Sequence, residues 1–345
     1  MKECWVTEPL HFEMRETEIP EPKDNEVQIK MMAAGVCGSD IHIYKGENPN
    51  SRYPLIPGHE NVGLVTKVGA DCKNIKVGDH VVIDYVIRCG ECYQCKHGRG
   101  NVCEHVLVRG SGTNGGWREY WCVEEPYVYK IDDSIPWKDA ALIEPLTIGE
   151  HSTSRAGVCE DDVVFILGTG TIGTIIAQAC KLKGAKTVIC CDISDSSLER
   201  SKQFGADYTV NSKTQDIVAE VQKITNGHGC TVAFDSACFP GSLTMIMQPG
   251  IVCNAGRVVP MGFCTVPEKI TQQMINGREL TICGTRMSLN PWVPTAQKMA
   301  EGKYHMEGLA TTFVKFSEIE KVFDNIVHPD PAVKKTVILF DGAED

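Results

Sequence analysis

The chain has 345 residues, 42% apolar and 23% charged, so we expect two globular domains. Its net charge of -11 argues against a surface that binds nucleic acid or anionic membranes, because such surfaces need clustered Lys and Arg. The sequence opens without an apolar signal core and contains no run of ~20 apolar residues, so we expect a cytoplasmic protein with no membrane partner. In that setting its 17 cysteines indicate thiols and metal ligands, not disulfides.

The first part of the chain, to about residue 148, is predicted to be rich in β-strands. Val27, Ile29 and Met31 alternate with polar residues, and residues 62–68 and 80–85 show similar alternation in part. Glycines and prolines mark the turns between these segments.

From residue 163 the pattern changes to short apolar strands that alternate with helical segments. The predicted strands are residues 163–167, 187–191, 208–210, 231–235, 257–261 and 280–283, and the predicted helices are 172–182, 196–204 and 215–225. Six strands separated by helices predict an α/β fold with a doubly wound parallel sheet. We expect one domain at residues 149–285, and a second at residues 1–148 and 286–345 that ends in a strand at 336–340.

Four cysteines, Cys89, Cys92, Cys95 and Cys103, have the spacing of a metal site. Two-residue gaps aim three sulfurs at a common centre, and the longer gap closes a short lobe over it. Four thiolates in this arrangement suit a structural zinc that no substrate can reach. An iron–sulfur cluster is the rival, but in bacterial ferredoxins the last gap is about three residues and proline follows, whereas Glu104 follows here. Free reduced cysteines are the remaining alternative.

A glycine-rich turn connects the first of the six strands to the next helix. Its Gly-x-Gly-x-x-Gly pattern permits a tight turn, lets backbone approach a pyrophosphate and places a helix N-terminus against it. An acid about 20 residues further on would bind ribose hydroxyls and repel a 2′-phosphate, which favours NAD over NADP. An ordinary turn with a helix-capping acid is the alternative. The predicted coenzyme residues are Gly168, Gly170, Thr171, Ile172, Gly173 and Asp192.

A second set of potential metal ligands lies outside the cysteine lobe. Cys37 occurs in Gly-Val-Cys-Gly-Ser-Asp, His59 and Glu60 occur in Pro-Gly-His-Glu, and Glu144 occurs in Ala-Leu-Ile-Glu-Pro. Thiolate, imidazole and carboxylate all bind zinc well, and three protein ligands with one open position make a catalytic site. Taken singly, a cysteine is more often a small buried residue without chemistry, and a histidine is more often a hydrogen-bonded structural residue.

Together these motifs resemble the zinc-dependent medium-chain dehydrogenase family of the alcohol dehydrogenase superfamily. The resemblance implies a GroES-like catalytic domain, a Rossmann coenzyme domain, one catalytic and one structural zinc, and a homodimer or homotetramer. Cys37 and His59 match the catalytic zinc ligands, and Glu60 matches the adjacent acid. Glu144 stands where typical alcohol dehydrogenases have a cysteine, as in the sorbitol-dehydrogenase-like branch, in which water and two acids can share the coordination sphere.

The resemblance also implies roles in the reaction. Zinc would polarise the substrate hydroxyl while hydride passes to the nicotinamide. Ser39 resembles the hydroxyl that first accepts the proton, and His42 resembles the base that passes it to solvent. A turn-stabilising hydroxyl and a solvated loop histidine are the alternatives. Arg286 resembles an arginine that reaches the substrate in the polyol and sugar-acid branch, with a surface or interface salt bridge as its alternative.

We therefore expect oxidation of a secondary alcohol in a polyol or sugar acid, such as L-gulonate, L-galactonate or sorbitol/L-iditol. L-Threonine dehydrogenase is the rival within the family. A zinc-ribbon binding protein is disfavoured by the acidic charge. A non-catalytic NAD-binding sensor could dispense with Cys37, His59 and Glu60, all of which are present.

Overall fold

The computed structural model describes residues 1–289 and 291–343, and the chain forms two compact units. The β-rich unit comprises Met1–Glu144, Leu289–Gly302 and Met306–Asp345, and the doubly wound unit comprises Pro145–Ser288 and Lys303–His305. The sequence placed the division at residues 148 and 286, and it gave no sign that residues 303–305 belong to the doubly wound unit. Asn290, Glu344 and Asp345, which fall in the predicted second domain segment, lie outside the described residues.

The N-terminal part of the β-rich unit consists mainly of strands, with short helices and 3₁₀ turns at Gly100–Val102 and Glu125–Tyr127. In chain order its strands and helices are β1 (Lys2–Glu8), β2 (His11–Glu16), β3 (Glu26–Val36), α1 (Gly38–Tyr44), β4 (Glu60–Val68), β5 (His80–Ile83), β6 (Val86–Ile87), α2 (Tyr93–Lys96), β7 (Leu107–Val108), β8 (Tyr120–Glu124), β9 (Val128–Lys130) and α3 (Trp137–Ala140). The helix α4 (Ile143–Arg155) contains the division between the two units.

The doubly wound unit alternates strands and helices as the sequence predicts. Its elements are β10 (Val163–Leu167), α5 (Thr171–Leu182), β11 (Thr187–Asp192), α6 (Asp195–Gln203), β12 (Tyr208–Asn211), α7 (Ile217–Ile224), β13 (Cys230–Asp235), α8 (Ser242–Ile246), β14 (Val252–Pro260), α9 (Gln272–Asn276) and β15 (Thr281–Ile282). The strands are parallel and lie in the order β12-β11-β10-β13-β14-β15. This order confirms the predicted doubly wound sheet, whose direction of winding reverses between β10 and β13.

The chain then completes the β-rich unit with α10 (Trp292–Ala300), β16 (Thr312–Lys315), a 3₁₀ turn at Phe316–Glu318, α11 (Glu320–Val327) and β17 (Thr336–Leu339). The main sheet has the order β16-β17-β3-β4-β5-β9, and β8 also pairs with β3. The alternation of Val27, Ile29 and Met31 predicts a strand with one buried face. In fact most of β3 is buried, including Gln28, because three strands pair along it.

None of the helices in residues 1–289 and 291–343 combines the length and apolar character that a bilayer crossing requires.

Candidate active site

A thiol, an imidazole and a carboxylate converge at one end of the β3–β4 pair. The candidate ligand atoms of Cys37, His59 and Glu60 all lie within 4.8 Å of one another. Cys37 follows the end of β3, while Glu60 begins β4 and pairs with Gly35 across the sheet. The antiparallel register therefore joins two sequence motifs that lie more than 20 residues apart.

Two glycines make room for this arrangement. A Cβ on Gly35 would lie 1.7 Å from Oε2 of Glu60, so a side chain here would displace the carboxylate. Gly58 has a φ of +91°, and a Cβ there would lie 2.1 Å from Cδ1 of the buried Trp117. Both positions need glycine, because the space is already filled and the backbone of Gly58 is left-handed.

Asp40 organises the cluster, although the sequence argument gave it no role. Its carboxylate accepts hydrogen bonds from the backbone N–H of Cys37 at 2.8 Å and of Gly58 at 3.3 Å. Its Oδ1 lies 3.8 Å from Nδ1 of His59. A carboxylate beside one ring nitrogen orients an imidazole so that the other nitrogen can bind a metal. An acid three residues after Cys37, at a helix start, is the capping signal that could have revealed it.

The environment of His59 favours positive charge. Burial opposes protonation, but the neighbouring Cys37 and Asp40 outweigh it and raise the pKa of His59 well above its usual value. A pocket of thiol and carboxylates that stabilises a cation here is chemically suited to hold a divalent metal.

Lys335 is a buried cation next to the cluster that the sequence argument missed. Its ammonium donates to the carboxylate of Glu60 and, at 3.0 Å, to the carbonyl of Val36. Burial lowers the pKa of Lys335, but Glu60 and Cys37 more than offset this effect, and the net shift is upward. The contact arises because β17 pairs with β3 so that Thr336 lies opposite Val36. No local pattern predicts a contact that depends on this long-range pairing.

Glu144 lies near the cluster but outside the group of atoms within 4.8 Å. It is 4% exposed, and burial raises its pKa to about 7, although His59 acts in the opposite direction. Burial and the nearby carboxylate of Glu144 raise the pKa of Tyr85 well above its usual value. Two acids thus lie near the same imidazole, and their neighbours differ, since Glu60 is paired with an ammonium and Glu144 lies near a phenol.

The predicted proton-relay residues both lie on α1. Ser39 is half-buried. The side chain of His42 is 62% exposed, and its Nδ1 lies 2.7 Å from Oε2 of Glu47. A half-buried hydroxyl and an exposed imidazole on one helix could pass a proton outward, but their roles stay predictions.

The four cysteines of the lobe have the geometry of a single-ion site. All four sulfurs lie within 4.8 Å of one another, and Cys103 is 3.5 Å from Cys89 and 3.8 Å from Cys92. A tetrahedral zinc with bonds of about 2.3 Å would separate its sulfurs by about 3.8 Å. A cluster with a different iron for each thiolate would hold the sulfurs farther apart. Backbone N–H groups donate to two of the sulfurs, from Cys89 and His105 to Cys103 at 3.4 and 3.3 Å and from Cys92 to Cys89 at 3.4 Å, and such donors favour the thiolate.

The glycine-rich turn leaves space where a pyrophosphate would lie. Gly168 has a φ of +89°, and a Cβ on Gly173 would lie 1.9 Å from the carbonyl oxygen of Gly168. A Cβ on Gly170, which caps the N-terminus of α5, would meet no atom within 4 Å. Thr171 and Ile172 form the first turn of that helix. Close packing at two glycines and open space at the third fit a dinucleotide.

Asp192 ends β11 beside this turn. Its Oδ2 accepts from the backbone N–H and the hydroxyl of Thr169 at 2.7 and 2.9 Å, and its Oδ1 accepts from the N–H of Ser194 at 3.0 Å. The carboxylate is therefore fixed against the glycine-rich turn. Because a carboxylate has about four acceptor positions, it retains capacity for a ribose hydroxyl.

Arg286 is exposed and lies in the doubly wound unit between β15 and α10. Its role in substrate binding stays a prediction.

Comparisons with known proteins give two family matches in separate parts of the chain. Residues 23–133 match the alcohol dehydrogenase GroES-like domain, and residues 171–301 match the zinc-binding dehydrogenase family. The starvation-sensing protein RspB of Escherichia coli K12 is 35% identical, over 92% of this chain and 93% of that protein. L-Threonine 3-dehydrogenase of Pyrococcus horikoshii is 35% identical (90% and 91%), and sorbitol dehydrogenase of Bacillus subtilis is 32% identical (85% and 84%).

Solved structures are similar along the whole chain. An alcohol dehydrogenase (RspB) from E. coli CFT073, complexed with NADH, has a TM-score of 0.92, 34% identity and 99% coverage of both chains. A putative zinc-binding dehydrogenase from Sinorhizobium meliloti, bound to NADP, has a TM-score of 0.92, 26% identity and 98% coverage of both. L-Idonate 5-dehydrogenase from E. coli has a TM-score of 0.90, 25% identity and 98% coverage of both.

The protein is thus an oxidoreductase built from a GroES-like unit and a Rossmann-type unit. It belongs to the zinc-type alcohol dehydrogenase family, among relatives that include polyol dehydrogenases. The family resemblance inferred from the motifs is confirmed.

Proposed function

We propose that this protein is a zinc-dependent NAD+ oxidoreductase that oxidises a secondary alcohol of a polyol or sugar acid to the keto product. Candidate substrates are L-gulonate, L-galactonate and sorbitol/L-iditol. One observation carries the proposal: Glu60 lies in one cluster with Cys37 and His59, and a second buried acid, Glu144, lies close enough to His59 to affect its pKa, where a typical alcohol dehydrogenase has a second thiolate. The similarity to sorbitol dehydrogenase and L-idonate 5-dehydrogenase supports the same substrate class.

The residues of two clusters would hold two zinc ions per chain. Cys89, Cys92, Cys95 and Cys103 would hold a structural ion, and Cys37 and His59 with Glu60 or Glu144 would hold a catalytic one. The catalytic ion would supply a Lewis acid for the substrate hydroxyl. The closed lobe would supply stability only, because four protein ligands leave no open position.

The protein's own residues supply orientation and proton transfer. Asp40 holds His59 in position, and Lys335 balances the charge of Glu60. Ser39 accepts the proton of the substrate hydroxyl, and His42, exposed and paired with Glu47, passes it to solvent.

The glycine-rich turn of the doubly wound unit binds the coenzyme. The open space at Gly170 and the N-terminus of α5 accept the pyrophosphate. Asp192, fixed by Thr169, binds the adenosine ribose and selects NAD over NADP by repelling a 2′-phosphate. When bound, the coenzyme would supply its nicotinamide as the hydride acceptor.

Two other candidates have specific support. The 35% identity to L-threonine 3-dehydrogenase supports threonine as a substrate. The identity to a starvation-sensing protein supports an NAD-binding sensor, against which stand the retained Cys37, His59 and Glu60.

We also propose a homodimer or homotetramer in which copies meet at β15. Both residues of this strand, Thr281 and Ile282, are exposed, and β15 is the last strand in the order of its sheet. An exposed edge strand readily pairs with another chain.

The test is the rate of NADH formation by zinc-loaded protein with a panel of polyols, aldonates and L-threonine, using NAD+ and NADP+ in parallel. We expect turnover of one polyol or sugar acid with NAD+, weaker turnover with NADP+, and loss of both on adding a chelator. A preference for aldonates over the matching polyols would support contact between Arg286 and a carboxylate.

Each other outcome has a definite meaning. Turnover of threonine alone would replace the proposed substrate class. Faster turnover with NADP+ would contradict the role of Asp192, and full activity after metal removal would contradict the zinc mechanism. NAD+ binding without turnover of any panel member would favour the sensor.

A further inference from the structure

Thr169 lies between the first two glycines of the glycine-rich turn and is fully buried. Its main chain is fixed on both sides. The N–H of Gly168 donates to the carbonyl of Cys191 at 2.7 Å. The carbonyl of Thr169 accepts from the hydroxyl of Thr174 at 3.2 Å, and Arg200 donates to that hydroxyl at 3.2 Å. The side chain of Thr169 therefore projects from a main chain with little freedom to move.

The hydroxyl of Thr169 is committed to one oxygen of Asp192. It donates to Oδ2 at 2.9 Å, and the N–H of Thr169 donates to the same oxygen at 2.7 Å. The N–H of Ser194 donates to Oδ1 at 3.0 Å. A carboxylate has about four acceptor positions, shared equally by its oxygens, so those of Oδ2 are filled and about one, on Oδ1, remains. Asp192 therefore has a defined side for a ligand.

Of these three donors, only the hydroxyl depends on which residue stands at position 169. A carboxylate held by one main-chain donor on each oxygen can still turn about its Cβ–Cγ bond, because this torsion of aspartate is broad and roughly two-fold. The second donor to Oδ2 of Asp192 makes the two oxygens unequal. The hydroxyl thus opposes a rotation that the main chain alone would permit.

We propose that Thr169 is a positioning residue of the coenzyme site: its hydroxyl keeps Oδ1 of Asp192 turned towards the adenosine ribose and so sets the preference for NAD over NADP. The inference rests on the proposed role of Asp192 in coenzyme binding. A fixed carboxylate accepts from a ribose hydroxyl of NAD and repels the 2′-phosphate of NADP, and both effects weaken when it can turn away.

The test measures the dissociation constants of NADH and NADPH for the zinc-loaded protein from the change in coenzyme fluorescence. Thr169→Val removes the hydroxyl but keeps the shape of the side chain and both main-chain donors. We expect it to weaken NADH binding by about 10-fold, as for the loss of a hydrogen bond to a charged group, and NADPH binding much less. The preference ratio, the NADPH constant divided by the NADH constant, should therefore fall. Thr169→Ser, which retains a hydroxyl, should keep the wild-type ratio.

Thr231→Val is the matched control. The hydroxyl of Thr231 donates to Oδ1 of the buried Asp162 at 2.6 Å, which is the same kind of contact. Thr231 stands at the start of β13, however, and the glycine-rich turn follows the end of β10, which is parallel to β13. This control should lower the melting temperature and leave both dissociation constants unchanged, so a loss of stability alone cannot imitate the expected result.

Asp192→Asn distinguishes failure of this inference from failure of the proposed function. It should lower the preference ratio, and an unchanged ratio would contradict the proposed role of Asp192 itself, whatever Thr169 does. Adding Thr169→Val to Asp192→Asn should lower the ratio no further, because the two side chains act as a unit.

Three results would overturn the role of Thr169. One is a Thr169→Val protein with wild-type binding of both coenzymes. Another is an equal loss of affinity for NADH and NADPH, which would mean that the hydroxyl supports the part of the turn that both coenzymes share. The third is an equal fall of the ratio in Thr169→Ser and Thr169→Val, which would mean that packing, not the hydroxyl, positions Asp192.

Discussion

Lys335 and Glu60 form a buried ion pair beside the metal-ligand cluster, with side chains that are 4% and 1% exposed. They lie 275 residues apart in the chain and meet because β17 pairs with β3 and β3 pairs with β4. Removing one member of such a pair is costly, because the other charge stays buried without compensation.

Lys335→Met is therefore expected to lower the free energy of unfolding by about 3–5 kcal/mol. Combining it with Glu60→Gln should recover part of this loss, since the uncompensated carboxylate is then absent. Lys321→Met is the control, because Lys321 and Glu318 form an exposed ion pair worth at most about 1 kcal/mol. Denaturant unfolding measures all four proteins, and equal losses in Lys335→Met and Lys321→Met would contradict the account.

At this scale the sequence predicts residues whose chemistry is visible in a short motif. Cys37, His59 and Glu60 stand in such motifs, and the structure brings them together. Lys335 does not, because its contact with Glu60 depends on strand pairing. Asp40 is an intermediate case, since its capping position was readable but its contact with His59 was not.

Among the elements, the turn that leads into β4 sets the positions of His59 and Glu60. Gly58 takes a left-handed conformation there, and the indole of Trp117 occupies the space of a side chain. Gly78 has nearly the same φ, +89°, but a Cβ there would meet no atom within 4 Å. Substitutions at the two glycines therefore distinguish the cost of backbone strain from the cost of steric overlap.

Gly78→Ala should cost about 1–2 kcal/mol, the usual penalty of a left-handed residue with a Cβ. Gly58→Ala should cost about 1–3 kcal/mol more, because the methyl group overlaps Trp117. The melting temperatures of the two variants provide the comparison. If the two substitutions lower the melting temperature by the same amount, steric overlap at Gly58 does not contribute to the loss of stability.

The strands of the doubly wound unit were predictable because each is a short apolar run bounded by glycines or polar residues. The main differences lie at β14, which begins at Val252, and at β15, which is only Thr281–Ile282. The start of β14 includes exposed residues and a register irregularity against β13, so its apolar pattern begins later than the strand. Pairing across the sheet, not local sequence, determines where β14 begins and how long β15 is.

For the whole molecule, each unit carries a complete set of motifs for one task. The β-rich unit contains both clusters of candidate metal ligands, and the doubly wound unit contains the glycine-rich turn and Asp192. The sequence leads us to expect two domains because each set of motifs lies in one part of the chain. It did not predict that residues 303–305 belong to the doubly wound unit, where Tyr304 hydrogen-bonds Glu150.

The central claim is that Cys37 helps to hold a catalytic zinc that is distinct from the ion of the cysteine lobe. The most direct measurement is the zinc content per chain of wild type, Cys37→Ser and the control Cys72→Ser, whose half-buried thiol lies outside both clusters. We predict two ions in wild type and Cys72→Ser, and one in Cys37→Ser. Two ions retained in Cys37→Ser would contradict the account.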